Sequence, residues 1–124
     1  MTQPFRFRPC HRLHSGRDFD RVYRNGRRAG DGLFAVNALQ NELGYARLGM
    51  SVSYRTVGNA VCRNRIRRLI REVFRLSHAT LPALDFVVTS RPGARNAERS
   101  TLLTSLERLF PDAIRRATAP APRP

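Results

Sequence analysis

Lysine is absent from this 124-residue chain, and all 23 of its strongly basic side chains are arginines. There is therefore no glycine-rich phosphate loop ending in Gly-Lys-Ser/Thr, which excludes that class of nucleotide-binding protein. GC-rich codons, which also encode Ala and Pro, account for this usage most simply. It still has a functional consequence, because guanidinium groups pair bidentately with phosphate and stack on bases.

Carboxylates are also few, and their spacing does not indicate a metal site. A metal-dependent protein nuclease gathers several carboxylates around its ions. Here nine are scattered along the chain: Asp18, Asp20, Asp31, Glu42, Glu72, Asp85, Glu98, Glu107 and Asp112. His11, His14 and His78 have no evident partner for acid–base chemistry, and a Cys10-His11-x-x-His14 metal site would lack a matching fourth ligand. The sequence predicts neither catalytic residues nor a metal site in the protein itself.

Two cysteines, Cys10 and Cys62, are too few for a disulfide framework. No apolar run is long enough to span a membrane, and the N-terminal segment MTQPFRFRPCHRLH lacks the apolar region of a signal peptide. We therefore expect a reducing, cytoplasmic setting and no membrane partner. The length is that of one domain.

Negative charge is too scarce to balance the arginines, so the formal net charge is +14. Such an imbalance opposes folding by self-repulsion unless a polyanion neutralises it. An anionic membrane surface would call for an aromatic-rich amphipathic helix without separate core elements, whereas strand-like segments surround the basic helix here. Nucleic acid is the favoured partner.

Residues 58–77, GNAVCRNRIRRLIREVFRLS, are the most informative stretch and hold six of the 23 arginines. They predict one amphipathic helix entered through Gly58, with Asn59 as its N-cap. Its apolar face would carry Cys62, Ile66, Leu69, Ile70 and Val73, with Cys62 a small buried residue. Its opposite face would carry Asn64, Arg67, Arg68, Arg71 and Arg75, with Arg63 and Arg65 at the two borders. One side of the helix suits a core and the other an anionic partner.

The flanking segments predict an α/β fold, specifically a two-layer α+β sandwich. Before the basic helix, the expected elements are a helix over 16–25 opened by a Ser15–Asp18 capping box, a loop over 27–31, strands over 33–39 and 46–53, and a loop over 54–57. After it, we expect a strand over 85–90, a turn over 91–95, and a helix that begins at 96 or 97 and that Pro111 ends. Three helices would pack on a small mixed sheet of about four strands, in the order α-β-β-(β)-α-β-α. Residues 1–11 would be a flexible basic tail, 12–110 the domain, and 111–124 a disordered Pro/Ala-rich tail.

A second surface is indicated by strand 46–53 and the first helix. Alternation places Leu48, Met50 and Val52 on one face of the strand and Arg47, Gly49, Ser51 and Ser53 on the other, as in a half-buried antiparallel strand. The small polar face either leaves room for a backbone or a base, or is simply solvated. Phe19 and Tyr23 either pack on the core or stack on an unpaired base.

The segment GNAVCRNRIRRLIRE closely resembles the Arg-Asn-Arg signature of the protein subunit of bacterial ribonuclease P. RLHSGRDFDRVYRNG is similar to that family's opening segment, LGMSVS to its strand before the signature, and DFVVTSRPGA to its strand and turn after it. Together these segments cover roughly residues 12–110 in the family's order.

The resemblance implies an RNA-catalysed enzyme that removes the 5′ leader of precursor tRNA by Mg²⁺-dependent hydrolysis. The protein would bind the catalytic RNA and the leader, with Mg²⁺ held mainly by RNA and substrate, and would have no small-molecule substrate. The fold would contain a left-handed β-α-β crossover around the signature helix, against the usual hand. By position, the residues facing the catalytic RNA would be Arg63, Asn64, Arg65, Arg67, Arg68, Arg71 and Arg75. Those binding the leader would be Phe19, Tyr23, Gly49, Ser51, Ser53 and Arg55.

One departure from the family pattern concerns the segment before Gly58, which often carries Lys-Lys. Here it reads Tyr54-Arg55-Thr56-Val57, so Arg55 alone keeps a charge and Tyr54 can substitute stacking for an ion pair. A structural RNA-binding protein, such as a ribosomal component, also fits the charge and the tails. A protein nuclease is disfavoured by the carboxylate pattern.

Overall fold

Four helices and four strands make up the part of the chain that the computed structural model describes, which is residues 11–13 and 15–119, with Ala79 described by its backbone alone. They are α1 (Gly16–Asn25), β1 (Arg27–Gly30), β2 (Phe34–Gln40), β3 (Arg47–Ser51), α2 (Tyr54–Val57), α3 (Ala60–Ser77), β4 (Leu84–Ser90) and α4 (Arg99–Thr118). Short 3₁₀ turns follow α3 and β4, at His78–Thr80 and Pro92–Ala94. The predicted α+β class is confirmed.

The strands form one mixed sheet in the order β1-β2-β4-β3. β1 pairs with β2 and β2 with β4 in the antiparallel sense, whereas β3 and β4 are parallel. The antiparallel prediction for β3 is therefore wrong, because period-two alternation reports burial and not the direction of the neighbouring strand. The chain leaves β3, passes through α3 and returns in β4, which is the expected β-α-β crossover. Its left hand stays a prediction.

One face of the sheet, together with α3 and α4, encloses the main core. The predicted apolar stripe of α3 is confirmed at Ile66, Leu69, Ile70 and Val73, all of which are buried. Cys62 is only half-buried, because it lies in the first turn of α3 at the margin of the core. On α4, the buried stripe consists of Leu102, Leu106, Leu109 and Phe110, with Leu103 partly buried.

The opposite face of the sheet is covered by α1, which has the predicted bounds and the predicted N-cap. The Ser15 hydroxyl accepts a hydrogen bond from the Asp18 backbone N–H at 3.1 Å. A small apolar cluster lies beneath the helix and contains Leu13, Val22 and Val87, with Phe19 and Leu39 packed against it. Beside it, residues 12 and 13 run along the free edge of β3, where the Leu13 N–H donates to the Leu48 carbonyl at 3.0 Å.

Two predicted loops are regular structure. The 27–31 loop contains β1, which carries little apolar pattern of its own but pairs with β2 and buries Ala29. The 54–57 loop is the short helix α2, whose N-cap is Ser53.

Pro111 does not end α4, so the predicted helix end is wrong and the disorder predicted for 111–124 is wrong through residue 118. Pro111 is exposed, and the carbonyl four residues earlier belongs to exposed Glu107, so water can satisfy it. Ala113 is buried and Ile114 packs against the core, which favours continuing the helix. Residues 120–124 and residues 1–10 of the predicted tails lie outside the described residues.

Within the described ranges, no helix combines the length and the apolar character that crossing a membrane requires.

Candidate RNA interface

The basic helix α3 begins at a fixed point because two residues define its entry. The Asn59 side chain caps the helix by accepting a hydrogen bond from the Cys62 N–H at 3.1 Å. Gly58, between α2 and α3, has a φ of 91°, a conformation that other L residues rarely adopt. The predicted N-cap is confirmed, and it orients the first turn of the arginine face.

The polar residues predicted for α3 differ in how available they are to a partner. Asn64, Arg65 and Arg68 are exposed, whereas Arg63, Arg67, Arg71 and Arg75 are half-buried. Arg63 donates through Nε to the Val52 carbonyl at 3.3 Å, which ties α3 to the chain leaving β3. Arg75 is paired with Glu72 at 2.6 Å. The residues whose cationic groups remain for an anion are therefore chiefly Arg65, Arg67, Arg68 and Arg71.

Arg71 lies at the centre of a cation cluster. It lines a pocket of about 100 Å³ together with Arg12, Arg67 and the apolar side chains of Leu13, Leu48 and Met50. Its Nε is buried and has no hydrogen-bond partner among the described residues. Burial lowers the pKa of Arg71, and the charges of Arg67, Arg12 and Arg68 lower it further. An anion between these side chains would satisfy the donor and relieve the repulsion.

Sequence reasoning missed Arg12 as a site residue. It precedes α1 and is 55 residues away from Arg67 in the sequence, so no helical period connects the two. The isolated bridge of Arg12 to Leu48 brings it to the edge of the sheet beside α3. The Arg-Leu pair that opens the first segment was the available signal.

The α1 side of the sheet is the surface predicted to bind the leader, and Gly49 determines how closely α1 packs there. A Cβ added at Gly49 would lie 2.7 Å from Cζ of Phe19 and 3.1 Å from Cδ1 of Leu13. The small position on β3 therefore lets Phe19 approach the sheet, so a side chain of this chain occupies the room that was expected for a backbone or a base. Phe19 is accordingly a packing residue of the small cluster.

Tyr23 is the aromatic residue of α1 that faces solvent. It is 41% exposed, and its hydroxyl is hydrogen-bonded to the Thr89 hydroxyl at 3.1 Å. The hydrogen bond holds the ring over β4, and part of the ring remains exposed to solvent.

The other residues predicted for the leader lie on β3 and at the start of α2. Ser51 is half-buried on β3, two residues after Gly49 and so on the same face. The Ser53 side chain caps α2 by accepting from the Thr56 N–H at 3.3 Å, so its hydroxyl has a structural role. Arg55 and Tyr54 are exposed on α2.

The carboxylates of the described residues do not fit a Mg²⁺ site. No group of three or more His, Cys, Asp or Glu side chains comes together within residues 11–13 and 15–119. Asp85 is surrounded by Arg47, Arg21 and Asn41. Asp31 accepts from Ser105 and Arg108, and although burial raises its pKa, these and two backbone donors lower it overall. Asp31 and Asp85 are thus occupied by internal cations and hydrogen-bond donors.

A helix with an arginine face on a small α+β sandwich is typical of nucleic-acid-binding domains. Comparison with known proteins is more specific. The family model described as Ribonuclease P matches residues 7–113, and the chain belongs to the ribonuclease P protein family.

The relatives that it matches share most of its length. It is 44% identical over 112 residues to the ribonuclease P protein component of Syntrophobacter fumaroxidans, covering 89% of this chain and 93% of that protein. It is 40% identical to the ribonuclease P protein component of Methylococcus capsulatus, and the match covers 86% of this chain and 83% of that protein.

Solved structures confirm the fold. The ribonuclease P protein of Staphylococcus aureus superposes with a TM-score of 0.79 at 36% identity, covering 83% of this chain and 94% of the other. The ribonuclease P protein of Thermotoga maritima superposes with a TM-score of 0.71 at 30% identity, covering 80% of this chain and 94% of the other. The family assignment made from the signature segment is confirmed.

Proposed function

We propose that this protein is the non-catalytic subunit of ribonuclease P and that it binds two RNAs on adjoining surfaces. The polar face of α3, with Arg12, docks the catalytic RNA. The cleft between α1 and the sheet binds the 5′ leader of precursor tRNA. Cleavage of the leader, which gives the mature tRNA 5′ end, is carried out by the catalytic RNA, and we expect this activity in the cytoplasm.

The observation that carries the proposal is the Arg12–Arg67–Arg71 cluster. Three guanidinium groups around one small pocket repel each other, and the Nε of Arg71 is buried with no hydrogen-bond partner in the part of the chain that the structure describes. Arg65 and Arg68 extend the same face into solvent, and Asn64 adds an amide that suits a base edge. A bound polyanion would relieve this repulsion.

The two surfaces meet at the edge of β3. Leu13 contacts the position of Gly49 on the cleft side and also lines the pocket beside Arg71. A leader in the cleft would therefore lie next to the RNA docked on α3. This supports a role in holding substrate and catalytic RNA together.

Mg²⁺ would be bound by the catalytic RNA and the substrate, since the described carboxylates do not cluster into a metal site. The metal supplies the activated water of the hydrolysis. The contribution of the protein is charge neutralisation and placement of the leader.

Reconstitution tests the proposal. Purified protein is added to a bacterial ribonuclease P RNA at low Mg²⁺, and leader removal from precursor tRNA is followed. We expect stimulation of cleavage by the protein and no cleavage by the protein alone. Absence of stimulation would refute the subunit assignment, and cleavage without RNA would refute the assignment of chemistry to RNA.

A further inference from the structure

The helix α1 is held on the sheet by little apolar contact. Val22 is its one buried residue among those described, and the cluster below it has two other buried members, Leu13 and Val87, with Phe19 and Leu39 packed against them. The ten-residue helix also makes polar contacts with the sheet, and these add to what the small cluster contributes to its position.

Two polar contacts join α1 to β4. The Arg21 guanidinium donates to Asp85 at 2.6 Å, and the Tyr23 hydroxyl is bonded to Thr89 at 3.1 Å. Asp85 and Thr89 are four residues apart on one strand, which is about 13 Å. Two contacts at this separation fix both the position and the direction of a short helix.

Asp85 has more cationic partners than its charge needs. It is 0% exposed. Its Oδ1 accepts from Nε of Arg47 and from the Asn41 amide, both at 2.8 Å, and its Oδ2 accepts from Nη2 of Arg47 at 2.7 Å. Arg47 lies directly opposite Asp85 in the parallel register and binds it bidentately.

Arg47 therefore neutralises the buried carboxylate within the sheet. Arg21, on α1, is a second cation that reaches the carboxylate from outside the sheet. The Arg21 side chain is still 40% exposed, which is more than neutralising a core charge would require. What Arg21 adds is the connection between α1 and the sheet.

We propose that Arg21 and Asp85 are a positioning pair for the leader cleft. By holding α1 at a set distance from β3 and β4, they set the width of the cleft beside Tyr23 and Ser51 for a single strand of RNA. Arg21 acts through the placement of α1 and makes no contact with the leader itself. This inference rests on the proposed binding of the leader in the cleft.

The test uses the holoenzyme, reconstituted with a bacterial ribonuclease P RNA. Affinities are measured for precursor tRNA and for tRNA without a leader, and their ratio is the leader contribution. Arg21→Met should lower this ratio roughly three- to fivefold, the effect of losing a partly exposed ion pair. Binding of leaderless tRNA and of the catalytic RNA should not change. Arg21→Lys should restore most of the ratio, because an ammonium can still reach the carboxylate.

Arg24→Met is the matched control, because it removes the same charge from an exposed position of the same helix. It should leave the ratio near the wild-type value. Salt dependence separates positioning from direct phosphate contact: a positioning residue leaves the salt slope of the leader contribution unchanged, whereas a phosphate contact lowers it by about 0.7.

Three results would overturn the inference: equal ratios for the Arg21→Met and Arg24→Met proteins, a reduced salt slope, or failure of Arg21→Lys to restore binding. If the wild-type holoenzyme shows no leader contribution at all, the leader-binding part of the proposed function fails, and the positioning role fails with it. Arg47 still neutralises Asp85 in the Arg21 variants, so they are expected to fold, which circular dichroism checks.

Discussion

Replacing Arg71 by methionine should weaken RNA binding without destabilising the free protein. Methionine keeps an unbranched apolar stem against Leu13 and Met50, and it removes a partly desolvated cation that faces Arg12 and Arg67. We expect the free energy of unfolding to remain within about 0.5 kcal/mol of wild type, or to rise.

The expected loss of RNA affinity can be measured as a change in the salt dependence of binding. If the Arg71 guanidinium neutralises one phosphate, the slope of log K against log salt becomes shallower by about 0.7 to 0.9, the values per charge for single strands and for duplex DNA. Between about 50 mM and 200 mM salt, the ratio of wild-type to variant affinity then shrinks about threefold.

The assay is titration of a bacterial ribonuclease P RNA with each protein at several salt concentrations, beside urea unfolding of the free proteins. Arg116→Met is the control, since it removes one charge from the exposed C-terminal part of α4, where the arginine is paired with Asp112. An unchanged slope for Arg71→Met would place Arg71 outside the RNA contact. Reduced stability would show that its charge is compensated in the free protein, and the repulsion argument would be wrong.

Three further changes test the sheet and the cleft. Asp85→Asn should lower the free energy of unfolding by about 3–5 kcal/mol at pH 7, because it leaves Arg47 without its carboxylate. Although burial raises the pKa of Asp85, its arginine and amide partners lower it overall, so this stability is present above an unfolded pKa of about 3.9 and is lost as the pH falls through the folded value. If the difference between wild type and variant in urea unfolding did not narrow below about pH 4, this reasoning would be contradicted. Gly49→Ala should cost about 1–3 kcal/mol, because its Cβ would meet Phe19; thermal unfolding equal to wild type would contradict the close packing. Tyr23→Ala should lower affinity for precursor tRNA by about 1–3 kcal/mol, with leaderless tRNA unaffected. Tyr23→Phe keeps the ring but loses the hydrogen bond to Thr89, so it should lose less affinity than Tyr23→Ala; an equal loss for both RNAs would argue against stacking on the leader.

The basic helix was predictable because local and global signals agree there. The Asn59 cap, the apolar period through Ile66 and Val73, and the arginine row all point to the same helix, and each is found in the structure. The first and last residues of α1 were predictable for the same reason, since a capping hydroxyl and a short apolar period coincide there.

Other features depend on contacts far apart in the sequence, which no local pattern reports. β1 exists because β2 offers it an edge, and α4 passes Pro111 because buried residues follow it. The cluster of Arg12 with Arg71, and the convergence of Arg21 and Arg47 on Asp85, join segments that are dozens of residues apart. The sequence pattern predicts Asp85 only as the start of a strand, although its carboxylate contacts side chains of α1, of β3 and of the turn after β2.

The most direct test of two adjoining RNA surfaces is site-specific crosslinking in the assembled holoenzyme. A single cysteine is placed in a Cys10→Ser, Cys62→Ser background, either by Val61→Cys, at a 76% exposed position in the first turn of α3, or by Ser51→Cys in the cleft. Each is given a short photoreactive group, and the precursor tRNA is labelled in its leader. We predict that the probe at position 61 crosslinks to the catalytic RNA and that the probe at position 51 crosslinks to the leader. Crosslinking of both probes to the same RNA would contradict the assignment of the two surfaces.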